Sequence, residues 1–274
     1  MKGNKMAMSE IQSVSLEILK EVTDFCDQNK IKYFLAYGTL IGAIRHQGYI
    51  PWDDDVDIMM GRPEYDRFLK LFKEKNKNSN LKLFTQEENK DYPYILARIS
   101  DSRYYIDVKN EKTCGLGIFI DIYPLDGIGH DYEESIETLK KTTRYPSLIF
   151  LATRKYYHFG TTKGFKKRME KIPAFIYAHI MGKKYFRRKL EGILSKFEYD
   201  TCEYVGAAMW CTQPLKNAYK KEWCEDLIKA KFDKYEFYIP KHYDEILRTT
   251  YGDYMKLPPE KDRIYHHLYK AYKK

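Results

Sequence analysis

The 274-residue chain has no long apolar run. Its longest weakly polar stretch, IPAFIYAHIM at 172–181, is ten residues, about half of what a membrane span needs. No apolar core follows the lysines of its N-terminus, MKGNKMAMSE, so no signal peptide is read and the chain is expected to stay in the cytoplasm. Cysteine is scarce: Cys26, Cys114, Cys202, Cys211 and Cys224. No two of them stand at the spacing of a zinc knuckle. The odd count, in that compartment, reads as free thiols. Internal repeats and low-complexity linkers are missing. So is any recognised DNA- or RNA-binding motif, and no nucleic-acid partner is expected. What is present is ordinary for a globular protein: 43% hydrophobic and 32% charged residues, which argues against a disordered or collagen-like chain. The length suits one large domain or two small ones.

Charge is unevenly distributed within the net +9. Residues 1–135 hold 18 Lys/Arg against 23 Asp/Glu, and residues 136–274 hold 30 against 16. Segment 136–189 alone has 15 basic and two acidic residues, with Tyr145, Phe150, Tyr157, Phe175 and Phe186 among its aromatics. Basic and aromatic residues together point to an anionic partner, such as a membrane surface or a polyanionic polymer. A solvated helical face in a Lys-rich chain would have the same composition.

Periodicity predicts a helix over 9–29, opened by a Ser9/Gln12 capping box. A strand at 33–38 runs into a short helix or turn at 39–48. Strand 55–60 is followed by a helix from Pro63 to about Asn76. Further strands are expected at 81–84, 94–100, 104–108 and 117–123. Helices are expected at 132–145, 165–181 and 184–198, then from Pro240 to about Tyr251. Loop 251–263 leads to a short tail helix. Strands early and helices late give an α+β class.

The densest chemical signal is WDDDVDIMM, with Asp53, Asp54, Asp55 and Asp57 within five positions. Alternation along a strand puts Asp55 and Asp57 on one face and Val56 and Ile58 on the other. Carboxylates so close repel unless a cation lies between them. Hard oxygen ligands suit Mg²⁺ or Mn²⁺. An exposed acidic turn would look similar, but the adjoining apolar strand argues against it. In GIFIDIYPLDG, Asp121 shares a face with Phe119 and Tyr123, and a lone aspartate there would be costly to bury. It is the candidate third ligand on a neighbouring strand. Asp126, between Pro124 and Gly127, reads as a turn residue. Upstream, AYGTLIGAIRHQG ends a strand at Gly38 and sets Thr39 where a helix starts. That is a turn whose N–H groups suit phosphate and whose glycine admits it closely. A phosphate turn about 15 residues before paired carboxylates is the equipment of phosphoryl transfer.

The stretch YFLAYGTLIGAIRHQGYIPWDDDVDIMM resembles the LicD family of phosphotransferases almost residue for residue. GIFIDIYPLDGI and the late YGDYMKLPPEKDR are similar to that family as well. The resemblance implies a nucleotidyltransferase-like fold: a mixed β-sheet core with flanking helices, a GT turn (Gly38–Thr39), a DxD pair (Asp55, Asp57) and a strand aspartate (Asp121). It implies metal held by Asp55, Asp57 and Asp121, the same three being catalytic, with Asp121 taking the acceptor hydroxyl's proton. Family members move a phospho-alcohol from a CDP-linked donor to a glycan hydroxyl and release CMP. Phosphocholine from CDP-choline is the leading expectation, with a lipopolysaccharide sugar or a lipid-linked teichoic acid precursor as acceptor. Fukutin-type transferases that use CDP-ribitol look similar across the same motif. Where the family has a Lys before the third aspartate, this chain has Arg98, read as a phosphate contact or a salt-bridge partner. Arg45 and Arg263 are further substrate-binding candidates; Arg263, His266 and His267 fall in the family's late motif.

Trp52 is read as a core residue, with stacking on a base as the other reading. The tyrosines could include a cage for a quaternary ammonium, though the sequence singles none out. Residues 1–130 are read as the catalytic core. Residues 131–200 are read as a basic helical subdomain meeting the acceptor or the inner face of the cell membrane, and 201–274 as packing back on the core. Two other readings stay open. One is a nucleotidyltransferase that moves NMP from an NTP to a small acceptor. The other is a catalytically silent polyanion- or membrane-binding module.

Overall fold

The computed structural model describes residues 4–77, 79–157, 169, 171–264 and 269–274. Helix α1 (Met8–Gln28) lays Ile11, Ile18, Leu19 and Val22 on the core, the 3.6-residue stripe expected from sequence. Its start differs from expectation. The Ala7 N–H donates to the Glu10 carboxylate at 2.7 Å, so Glu10 closes the first turn in place of a Ser9/Gln12 pair. Strand β1 (Phe34–Leu35) is followed at once by α2 (Tyr37–Arg45), then β2 (Asp57–Gly61), α3 (Arg62–Lys75), β3 (Leu81–Phe84), β4 (Ala97–Asp101), β5 (Tyr104–Val108) and β6 (Ile118–Gly129). The helical region is α4 (Tyr132–Thr142), α5 (Arg144–Ala152), α6 (Ile172–Met181) and α7 (Lys183–Leu194). Residues 165–168 and 170 of the expected helix 165–181 lie outside the described residues. Then come β7 (Tyr204–Gly206), β8 (Tyr219–Lys220), α8 (Lys221–Glu225), β9 (Leu227–Phe232), β10 (Tyr235–Pro240), α9 (Tyr243–Tyr251) and β11 (Tyr269–Lys273).

The central sheet runs β1-β2-β6-β4-β3, with β7 and β8 continuing from β6. Only β2 and β6 pair in parallel; the other neighbours are antiparallel. The mixed sheet with flanking helices is the α+β class that the sequence pattern gives. One face, with Ile58, Met60, Ile120 and Ile122, packs on α1 and α3. The other, with Met59, Tyr123 and Leu125, packs on Val205, Tyr219 and Ile246. A separate cluster joins Ile128 and the α4, α5 and α7 residues Leu139, Ile149, Phe186 and Leu190.

Three expectations are corrected. Strand β6 does not end at Tyr123: it runs through Pro124 and Asp126 to Gly129 and is buried throughout. Pro124 lies past the last β4 pair, Ala97↔Ile122, and before the first β7 pair, Asp126↔Gly206. Its missing N–H therefore breaks no ladder on that side. Asp126 is accordingly not a turn residue: it is buried and paired with Arg62 at 2.6 Å. Finally, the C-terminal third is not helical throughout. It holds the β9–β10 hairpin and β11, which pairs antiparallel with β5 where a tail helix was expected.

Candidate active site

The site begins where β1 gives way to α2. The Ala36 N–H donates to the Asp57 carbonyl at 2.9 Å. At Tyr37 the backbone enters the left-handed region, φ +46°, which turns the chain sharply into the helix. Thr39 Oγ1 accepts the Asp57 N–H at 2.9 Å, fastening the first turn of α2 to the start of β2. Gly38 leaves room for the Asp53 side chain. A Cβ there would meet Asp53 Oδ2 at 2.6 Å. The Asp53 carboxylate thus lies against the helix start, the end that favours negative charge.

Register then assembles the carboxylates. Asp57 pairs with Asp121 across parallel β2 and β6, and Asp121 pairs with Arg98 across antiparallel β6 and β4. Three side chains from three strands stand in one row. Arg98 Nε donates to Asp121 Oδ1 at 2.5 Å and Nη2 to Oδ2 at 3.3 Å. The guanidinium is stacked between the Tyr94 and Phe119 rings, at 3.7 and 3.9 Å. Burial disfavours its charge, but the pairing with Asp121 more than offsets this and holds its pKa above the usual value.

Asp57 is in a different position. Burial first, and then the charges of Asp55, Asp121 and Asp53, push its carboxyl well above the usual range, with Arg98 opposing. Its Oδ1 is buried and accepts no hydrogen bond. An orphaned carboxylate oxygen among like charges is what a hard divalent cation would satisfy. Among the described residues no three His, Cys, Asp or Glu side chains are already gathered around a common point. The orphaned Asp57 oxygen, with Asp55 and Asp121 beside it, suits a cation, and Asp121 is in addition paired with Arg98.

The four-aspartate run divides its work. Asp53 stands against Gly38, and Asp55 is partly exposed beside Asp57. Asp54 is buried, and Tyr269 Oη donates to its Oδ2 at 2.6 Å. Arg45 and Arg263 form a second group, with Arg45 about 9 Å along α2 from Thr39. Arg45 Nη1 donates to the Tyr254 carbonyl at 2.6 Å. Burial and then the nearby charge of Arg263 lower its pKa. Arg263 lies 5.6 Å over the Trp52 ring, so Trp52 is half-buried beside a cation as well as packed on the core. His266 and His267 lie outside the described residues.

Sequence reasoning missed the tyrosines around the carboxylates. Tyr37 and Tyr123 meet edge to face at 5.2 Å. The phenols of Tyr37, Tyr123 and Tyr251 are all raised, by desolvation first and in part by the charge of Asp57. A separate cavity of about 430 Å³ lies between α3, β6 and α7, lined by Arg62, Asp126, Arg187, Glu191 and Tyr199.

A family model described as "LicD/FKTN/FKRP, nucleotidyltransferase domain" matches residues 30–174. The chain is 32% identical over 271 residues to the lipopolysaccharide cholinephosphotransferase LicD of Haemophilus influenzae, covering 98% of each chain. An uncharacterized protein of Rickettsia typhi is 34% identical over 138 residues, 49% of this chain and 40% of that one. One from Rickettsia prowazekii is 46% identical over 55 residues, about a fifth of each.

Proposed function

The chain belongs to the LicD family, and from that footing we propose that it transfers phosphocholine from CDP-choline to a hydroxyl of a cell-surface glycan, releasing CMP. The acceptor class is a lipopolysaccharide sugar or a teichoic acid precursor. The observation that carries this reading is the row Asp57, Asp121 and Arg98 beside a helix start tied down by Thr39.

The donor diphosphate lies along the Gly38–Thr39 turn, where the first N–H groups of α2 lack helical partners. Asp53 guards that approach, so the diphosphate is accepted only when Asp53 is displaced or its charge is offset. Asp55, Asp57 and Asp121 are the residues that would hold Mg²⁺ or Mn²⁺. Such an ion would supply neutralisation of the phosphoryl charge and a lowered hydroxyl pKa. The acceptor oxygen forms its bond to the choline-bearing phosphorus as the bond from that phosphorus to the CMP oxygen breaks. The hydroxyl proton passes to Asp121, which Arg98 orients. Arg45 and Arg263, near the far end of α2, are proposed to hold the nucleotide side of the donor.

We also propose that the chain works at the inner face of the membrane, with its basic half toward anionic lipid. Among the described residues no helix is long and apolar enough to cross a bilayer, so contact would be peripheral. The transfer reading is tested by purified Asp55→Ala and Asp57→Ala proteins. Each should lose nearly all CMP release from CDP-choline while keeping its circular dichroism spectrum. Rates like those of the unaltered protein would overturn it.

A further inference from the structure

Helix α6 does not pack as its sequence suggests. It is the most apolar of the described helices, yet of its ten residues only Ala178 is buried. Ala178 seats the helix within the cluster formed with α5 and α7. Pro173, Ile176, Tyr177 and Ile180, at positions i, i+3, i+4 and i+7, form one outward stripe. Ile176 is 52% exposed, Tyr177 46% and Ile180 76%. Phe150 of the adjoining α5 is exposed as well, at 42%. Large aliphatic side chains grouped on one face differ from the scattered exposed apolar residues that any surface carries.

The surroundings of the stripe indicate what covers it. Between Lys171 and Leu190 there is no acidic residue, and Lys171, Lys184, Arg188 and Lys189 are exposed at or beyond the two ends of the helix. An apolar stripe flanked by exposed basic side chains suits an anionic, oil-backed surface. It does not suit a second copy of the chain, which would bring the same charge to the contact. At about 15 Å long, α6 can lie in a membrane interface but cannot cross the bilayer.

We propose that α6 is a membrane-docking helix, its Ile176–Tyr177–Ile180 stripe immersed at the headgroup–acyl boundary and the flanking basic side chains on anionic headgroups. The proposal rests on the membrane-surface part of the reading above and names the element responsible. It is independent of the transfer chemistry.

The test uses full-length protein and flotation with vesicles of phosphatidylcholine alone or with 30 mol% phosphatidylglycerol, about a third anionic lipid as in a charged leaflet. The unaltered protein should float with the anionic vesicles only. Ile176→Ser/Ile180→Ser should lower the partition coefficient by about tenfold or more, as expected when two large apolar side chains leave the interface. Because these side chains are exposed, the variant should fold normally, with an unchanged melting temperature. A second variant, Lys184→Glu/Arg188→Glu/Lys189→Glu, should abolish binding. An Ile180→Trp reporter should shift to the blue on anionic vesicles and be quenched by lipids brominated in the acyl chain.

Binding that survives the serine variant but not the charge variant, with no quenching, would overturn α6 insertion while leaving the basic surface in place. No flotation of the unaltered protein at low salt would overturn both. A concentration-dependent dimer lost in the serine variant, without lipid binding, would assign the stripe to self-association and overturn the proposal.

Discussion

At the residue scale the site turns on two buried aspartates in opposite electrostatic settings. Asp121 is neutralised by Arg98, whereas Asp57 is crowded by like charges and leaves one oxygen unpartnered. Changing them should therefore move stability in different directions. Asp121→Asn strands the buried Arg98 charge and should cost about 3–5 kcal/mol of unfolding free energy. Asp57→Asn, in metal-free protein, removes a disfavoured buried charge and should be neutral or stabilising. Urea denaturation of the two variants checks this; equal losses would show that the row is not electrostatically divided. Strand alternation put Asp55 with Asp57 and set Asp121 on the Phe119–Tyr123 face of its own strand, and the family resemblance marked Arg98; only the β2–β6–β4 register brings Asp57, Asp121 and Arg98 into one row. Alternation could not assign Asp53 to the Gly38 turn, because that contact depends on how the loop after Pro51 folds back. Nor could it find the partner of Asp54, which lies 215 positions away at Tyr269.

At the element scale, β6 carries most of the design. It pairs with β2, β4 and β7, and so positions Asp121 at one end and Asp126 at the other. PLDG resembles a turn in isolation. Only the neighbouring strands, one finished and the other not yet begun, let a proline continue the strand. The tail misled for a similar reason: alternation in YKAYK is too short to outweigh a helical reading until β5 is there to pair with it.

Asp126 is buried beside Arg62, and its Oδ2 is unpartnered. Burial raises its carboxyl pKa although Arg62 opposes this. A raised native pKa means that the stability linked to the protonated form is complete below the unfolded value near 4 and is lost as pH rises through the native value. Arg62→Ala removes the counter-charge and raises that native pKa further. The variant should be destabilised by about 3 kcal/mol at neutral pH, with the deficit shrinking as pH falls toward 4. A pH series of denaturation midpoints measures it. A deficit independent of pH would mean that Arg62 acts through packing on Tyr65, over whose ring it lies.

At the scale of the whole molecule, the C-terminal segment returns to complete a site begun by the N-terminal half. Tyr269 on β11 holds Asp54, Tyr254 accepts from Arg45, and Arg263 covers Trp52. Tyr269→Phe should cost about 1–3 kcal/mol, the range for losing a hydrogen bond to a charged, buried partner. It should also slow turnover by loosening residues 53–55. Full activity with the stability loss would restrict Tyr269 to structure. The charge is uneven along the chain, acidic in residues 1–135, which hold the carboxylate row, and basic beyond residue 136.

Transfer from a CDP-linked donor is tested most directly by ³¹P NMR of the purified protein with Mg²⁺ and, in turn, CDP-choline, CDP-ribitol, CDP-glycerol and CTP. The expected result is slow CMP release from CDP-choline, absent in Asp57→Ala and absent without Mg²⁺. Pyrophosphate from CTP, or CMP release unchanged in Asp57→Ala, would contradict it.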